Sequence, residues 1–164
     1  MIRDFQPDCV IDFAIPKASL EFIRQYGVEN LAGKHLLAWS VLYTEQFKKS
    51  MHDKGLHFVF GSPLPNPETS DLPIAKEFRQ ACQKNELQPV FFTFEGYLNA
   101  RILVEILKKI EGPITKENII QTTESLKNFD LGGIVLNFNS ATRSLFSSLW
   151  LIIGDDWVPV KGDQ

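Results

Sequence analysis

The chain has 164 residues, of which 44% are apolar and 23% charged, with a formal net charge of −3. That is enough chain to bury a real core in one domain, and the composition is ordinary for a globular protein. The negative balance, with no basic run interleaved with aromatics, argues against a surface that tracks nucleic-acid phosphates. No apolar run approaches the length of a membrane-spanning helix, and residues 1–15, holding Arg3, Asp4, Asp8 and Asp12, do not read as a secretion signal.

Residues Asp8 to Phe13 predict a short apolar strand. Pro16 then opens a helix through Tyr26, with Leu20 and Ile23 inward and Gly27 as its stop. A second strand is predicted from His35 to Trp39. Thr44 caps a helix that runs to Lys54, anchored by Phe47 and Met51 and closed by Gly55. His57 to Phe60 reads as a third strand, followed by a loop dense in proline and serine. Asp71 and Pro73 start a helix to about Asn85.

The stretch FTFEGYLNARILVEILKKIE, residues 92–111, predicts a long amphipathic helix. Phe94, Leu98, Ile102, Leu103, Ile106, Leu107 and Ile110 make its apolar face. Arg101, Glu105, Lys108 and Lys109 fall opposite, and Gly112-Pro113 ends it. Thr115 caps a further helix to about Lys127. Strands follow at Ile134–Asn139, Leu149–Ile153 and Trp157–Val160. Early alternation of strands and helices predicts an α/β fold with a doubly wound, mostly parallel sheet flanked by helices. The closely spaced terminal strands predict an antiparallel addition at one edge.

Candidate catalytic groups do not assemble. Asp155 and Asp156 lie in a Gly-Asp-Asp turn, the composition of a solvated hairpin. His35, His52 and His57 share no ligand spacing, and no Cys/His pattern suits zinc. Ser40, Ser62 and Ser144 lack a nucleophile-elbow frame. Gly132-Gly133 precedes a strand and not the helix a phosphate loop requires. The chain therefore reads as a non-enzyme with no cofactor and no metal. Sequence leaves a Cys9–Cys82 disulfide open, and the expectation is that both are buried free thiols.

The run from SDLP at residues 70–73, through FTFEGYLNARILVEIL and ITKENIIQTTESL, to FDLGG at residues 129–133 resembles the C-terminal part of type I periplasmic binding proteins. The likeness is greatest to the leucine/isoleucine/valine-type substrate receptors of ABC transporters. DCVIDFAIPKASLEFIRQYGVEN, KHLLAWS and GLHFVFGSPLPNP fit upstream in the same order. The resemblance implies one α/β lobe plus two helices of the other lobe. Residues 6–90 and 131–160 are second-lobe-like, residues 92–127 are the helices of the first lobe, and the whole of 1–164 is expected to form a single domain.

It also implies a receptor that closes over a small ligand without chemistry. The matching positions are Ala14, Ile15, Pro16 and Lys17 after the first strand, Trp39 and Ser40 after the second, and Phe94 at the aromatic entry. Ser40 stands near where amino-acid receptors of this type carry an acidic residue. The ligand is therefore expected to be an amino acid or a small organic acid, with Trp39 and Phe94 offering rings and Lys17 a cation. In the full-length form the partner would be a membrane permease and the location the periplasm. The chain is about half the usual length, so it reads as a fragment or truncated form, with no nucleic acid among its partners. The alternative expectation is an interaction module, self-associating as a homodimer or docking another protein through its exposed helix pair.

Overall fold

A computed structural model describes residues 5–160. Numbered along the chain, the strands are β1 (Cys9–Asp12), β2 (His35–Trp39), β3 (Phe58–Ser62), β4 (Phe129–Asp130), β5 (Val135–Leu136), β6 (Trp150–Ile153) and β7 (Asp156–Pro159). The helices are α1 (Pro16–Tyr26), α2 (Val28–Leu31), α3 (Glu45–His52), α4 (Pro73–Lys84), α5 (Phe91–Lys109) and α6 (Lys116–Glu124). They form two compact units: the chain up to Pro63 together with the segment from Leu149 onward, and Leu64–Ser148. Helices α5 and α6 share the second of these units with α4. Its Phe78 ring lies 4.9 Å from Phe94 and 5.4 Å from Tyr97.

The first unit is a mixed α/β layer. Its sheet has the order β1-β2-β3-β6-β7. β1, β2 and β3 are parallel, and the β6–β7 hairpin is added antiparallel at the edge of β3, with Ser62 opposite Trp150. Both parallel crossovers step the same way along the sheet. Right-handed connections therefore lay their helices on one face. There Ile23, Tyr26, Leu31, Phe47 and Met51 pack with Leu36, Ala38, Phe58, Phe60 and Ile152 into one core. The opposite face carries the register row Ile11, Leu37, Val59, Ile153, of which Ile11 is 59% and Ile153 51% exposed.

Local signals set the helix limits. Pro16 stands in the first turn of α1, and Gly27 ends it at φ 99°, a left-handed value that glycine adopts without strain. The Thr44 hydroxyl accepts a hydrogen bond from Phe47 N and caps α3. Cys9 is exposed where a buried thiol was expected, and Cys82 is buried; both are free. The reason is the alternation of β1, which turns Cys9 with Ile11 onto the uncovered face.

In the second unit the stripe on α5 is buried at Phe91, Phe94, Leu98, Ile102 and Ile106. Leu103, expected inward, is 48% exposed. Thr115 caps α6 through Asn118 N. The strand expected over 134–139 shortens to Val135–Leu136, paired with β4. Beyond it the backbone bonds to other segments, Asn137 N donating to Leu145 O and Phe138 N to Leu126 O, while Asn137 Oδ1 accepts from Asn128 N at 2.7 Å. Ile74 N donates to Gly132 O at 3.0 Å. A Cβ at Gly132 would lie 3.0 Å from Ile74 N, so α4 starts directly on that turn. No helix among the described residues is long and apolar enough to cross a membrane.

Candidate functional site

Among the described residues the buried polar or charged side chains are Asp12, Ser19, Ser40 and Ser62. Asp12 closes β1, Ser62 closes β3, Ser40 directly follows β2, and Ser19 lies near the start of α1. All four therefore gather at the carboxyl ends of the parallel strands, the edge at which open α/β sheets hold their ligands. Asp12 Oδ2 and Ser19 Oγ have no hydrogen-bond partner among the described residues. An unsatisfied buried polar atom costs about 1–3 kcal/mol. Two such atoms at one edge make it the candidate site.

The turn after β1 is held from both sides. Ala14 N donates to Asp12 Oδ1 at 2.8 Å, and Trp39 Nε1 donates to Ala14 O at 3.1 Å. The Phe13 and Trp39 rings meet edge to face with centroids 6.3 Å apart. Phe13 is 71%, Ile15 61% and Trp39 40% exposed. An apolar wall thus stands beside a buried carboxylate. Ile15 precedes α1 without a side-chain cap, which leaves the positive end of that helix facing the same turn.

The structure brings six of the expected site residues together here. Ala14 and Pro16 are half-buried, Ile15, Lys17 and Trp39 are exposed, and Ser40 is buried. Phe94 belongs to the second unit, where it is fully buried and faces Phe78. Any ligand contact from Phe94 requires uncovering its ring first. Sequence reading did not single out Asp12 or Phe13. The available signal was an acid closing an otherwise apolar strand, DCVIDF, where a buried carboxylate is unusual.

Elsewhere the chemistry is sparse. His35, His52 and His57 are exposed, and no group of three or more metal-ligating side chains occurs among the described residues. Asp155, in the β6–β7 turn, meets Lys48 at 3.3 Å, and Lys48 also reaches Glu45 at 2.8 Å. Burial pulls the Lys48 ammonium down, but hydrogen bonds to Glu45, Tyr43 and Asp155 outweigh it and hold the group above its ordinary range. A cavity of about 580 Å³ lies beside this pair, lined by Met51, Leu56, Phe58 and Ile153. It sits at the amino end of β3, away from the carboxyl edge.

A family model described as periplasmic binding protein matches residues 1–152. Among solved structures, the chain is 28% identical to a possible leucine/isoleucine/valine-binding protein from Rhodopirellula baltica SH 1, with a TM-score of 0.73 over 94% of this chain and 43% of that one. It shares the fold of an extracellular ligand-binding receptor from Verminephrobacter eiseniae at 23% identity and a TM-score of 0.69, over 94% of this chain and 46% of the receptor. It likewise shares that of a leucine binding protein from Thermotoga maritima at 15% identity and a TM-score of 0.67, over 96% and 45% of the two chains. The chain spans under half the length of these structures. No curated protein matches it.

Proposed function

The chain belongs to the periplasmic binding protein family, and from that premise we propose that it supplies one wall of a solute site at the carboxyl edge of β1 and β2. The family consists of solute receptors, which are not enzymes. The gathering of Asp12, Ser19, Ser40 and Ser62 at that edge carries the reading. The ligand is a small amino acid or organic acid whose apolar body lies on Ile15 and Trp39. Ala14, Pro16, Lys17 and Ser40 complete the contact, and Phe94 takes part only if its ring is uncovered. In a longer receptor this ligand passes to the membrane permease of an ABC transporter, outside the cytoplasm.

Amide NMR of the chain titrated with L-leucine tests the reading. Shifts confined to Phe13–Lys17, Ser40 and the Trp39 indole are expected. Trp39→Ala is expected to weaken binding by roughly tenfold. Shifts scattered over the second unit, with that edge silent, sink the proposal.

A second reading, self-association, draws support from the uncovered sheet face bearing Ile11 and Ile153. The helix pair supports it less, since the stripe on α5 is buried. Light scattering across a concentration series decides it. A mass that doubles, and returns to the monomer in Ile153→Lys, supports a homodimer.

A further inference from the structure

We propose that the cavity between α3 and the β6–β7 turn is a second ligand site, separate from the carboxyl edge, and that it takes a small monocarboxylate with an aromatic or branched apolar body. Lys49 and His57, both on its lining, hold the carboxylate.

The cavity is built entirely within the first unit. Its volume of about 580 Å³ lies in the range of small-molecule pockets, which pair an apolar lining with a few polar groups. Met51, Leu56, Phe58 and Phe60 form its floor, and all four are buried members of the core. Core packing therefore fixes the floor before any ligand arrives. The Phe58 and Phe60 rings lie 6.1 Å apart and tilted by 30°, a surface on which a ring or branched chain can lie. One wall is strapped in place: Lys48 reaches from α3 to Asp155 in the turn at 3.3 Å and sits 4.5 Å from the Tyr43 ring centre. Along β3, Phe58 and Ser62 are separated by roughly 13 Å of extended chain, so this floor and the carboxyl edge are different places.

The rim decides which polar head fits. Its two acids, Glu45 and Asp155, already meet Lys48 at 2.8 and 3.3 Å, so an ammonium ligand would find both engaged. Neither Lys49 nor His57 enters an ion pair among the described residues. Even a neutral imidazole donates through one N–H, and the rim thus offers an ammonium and a ring N–H to one carboxylate. His52 contributes less, because Asp53 lies 3.9 Å from its Nδ1. The carboxyl end of α3 carries partial negative charge that opposes an anion, and Lys49 and His52 stand in that last turn and offset it. Lys49 and His57 are exposed, so each polar contact adds little. Burial of the apolar body supplies most of the affinity, and the rim selects the charge.

Amide NMR of the chain with 3-phenylpropanoate, 3-phenylpropan-1-ol and 3-phenylpropan-1-amine tests the site, since the three share a ring and tail and differ in charge. Shifts are expected at Met51, His57, Phe58 and Ile153–Asp155. The acid is expected to bind there about fivefold tighter than the alcohol or the amine. Lys49→Gln keeps a good helix former at an exposed position and is expected to lower that preference to about twofold or less. Silence of those amides toward the acid overturns the proposal. So does an alcohol or amine that binds there as tightly as the acid, or a preference unchanged in Lys49→Gln. Acid-induced shifts confined to Phe13–Lys17 and the Trp39 indole also overturn it, and they leave the solute-site reading intact.

Discussion

Ile152 and Ile153 are neighbours in β6, chemically identical and turned to opposite faces of the same sheet. Ile152 is fully buried in the core under α1 and α3, while Ile153 is 51% exposed. The strands do not explain this from their composition. HLLAW, FVFGS and WLII are apolar on both sides, the pattern of a sheet covered on both faces. Chain topology makes the difference. Two crossovers that step in one direction put every helix of this unit on one side. Apolar sequence says that a face is suited to burial, and connectivity says whether this chain buries it.

The contrast is most sharply tested by paired substitutions. Ile152→Ala is expected to cost about 2–5 kcal/mol in denaturant unfolding, whereas Ile153→Ala is expected to cost about 1 kcal/mol or less. Equal costs would mean that the second face is covered in solution. Thiol labelling under native conditions probes the same contrast by rate. Cys9 lies on the open face, while Cys82 is buried and burial pushes its thiol pKa up. Cys82 is expected to react on the order of a hundredfold more slowly, and similar rates would mean that α4 opens readily.

Smaller effects sharpen the closed face. Thr44→Ala removes the cap of α3 and is expected to cost about 1 kcal/mol, measured by thermal unfolding. Lys48→Met is expected to cost roughly 0.2–1 kcal/mol at neutral pH, because Glu45 and Asp155 are solvent-exposed partners. Its folded-state pKa is raised. That stabilisation is therefore fully present below the ordinary lysine range and is lost as pH rises through the raised value. A wild-type advantage that instead grows above the lysine range contradicts the assignment.

Much of the fold was legible because its signals are local. Pro16 and Gly27 bracket α1, and Thr44 and Thr115 cap α3 and α6 where their sequence positions predict. The edge hairpin followed from closely spaced apolar runs. The candidate site was legible in part: the positions after β1 and β2 were named, but Asp12 was not. Its importance depends on the register that turns it inward, which is a long-range fact. Phe94 shows the converse limit. An aromatic at the start of an amphipathic helix reads equally as a ligand ring or as core, and only the nearness of Phe78 separates the two. Cys9 was misplaced for the same reason as Ile153, since nothing within a strand says how many of its faces are covered.

Ser62 and Trp150 are register partners at the ends of β3 and β6, and Leu64–Ser148 makes up nearly all of the chain between them. In sequence terms, the second unit occupies the place of a hairpin turn. A loop of about two to five residues is all that two such strand ends need. The five-stranded sheet can therefore be closed by a short turn without drawing any strand from the excised segment.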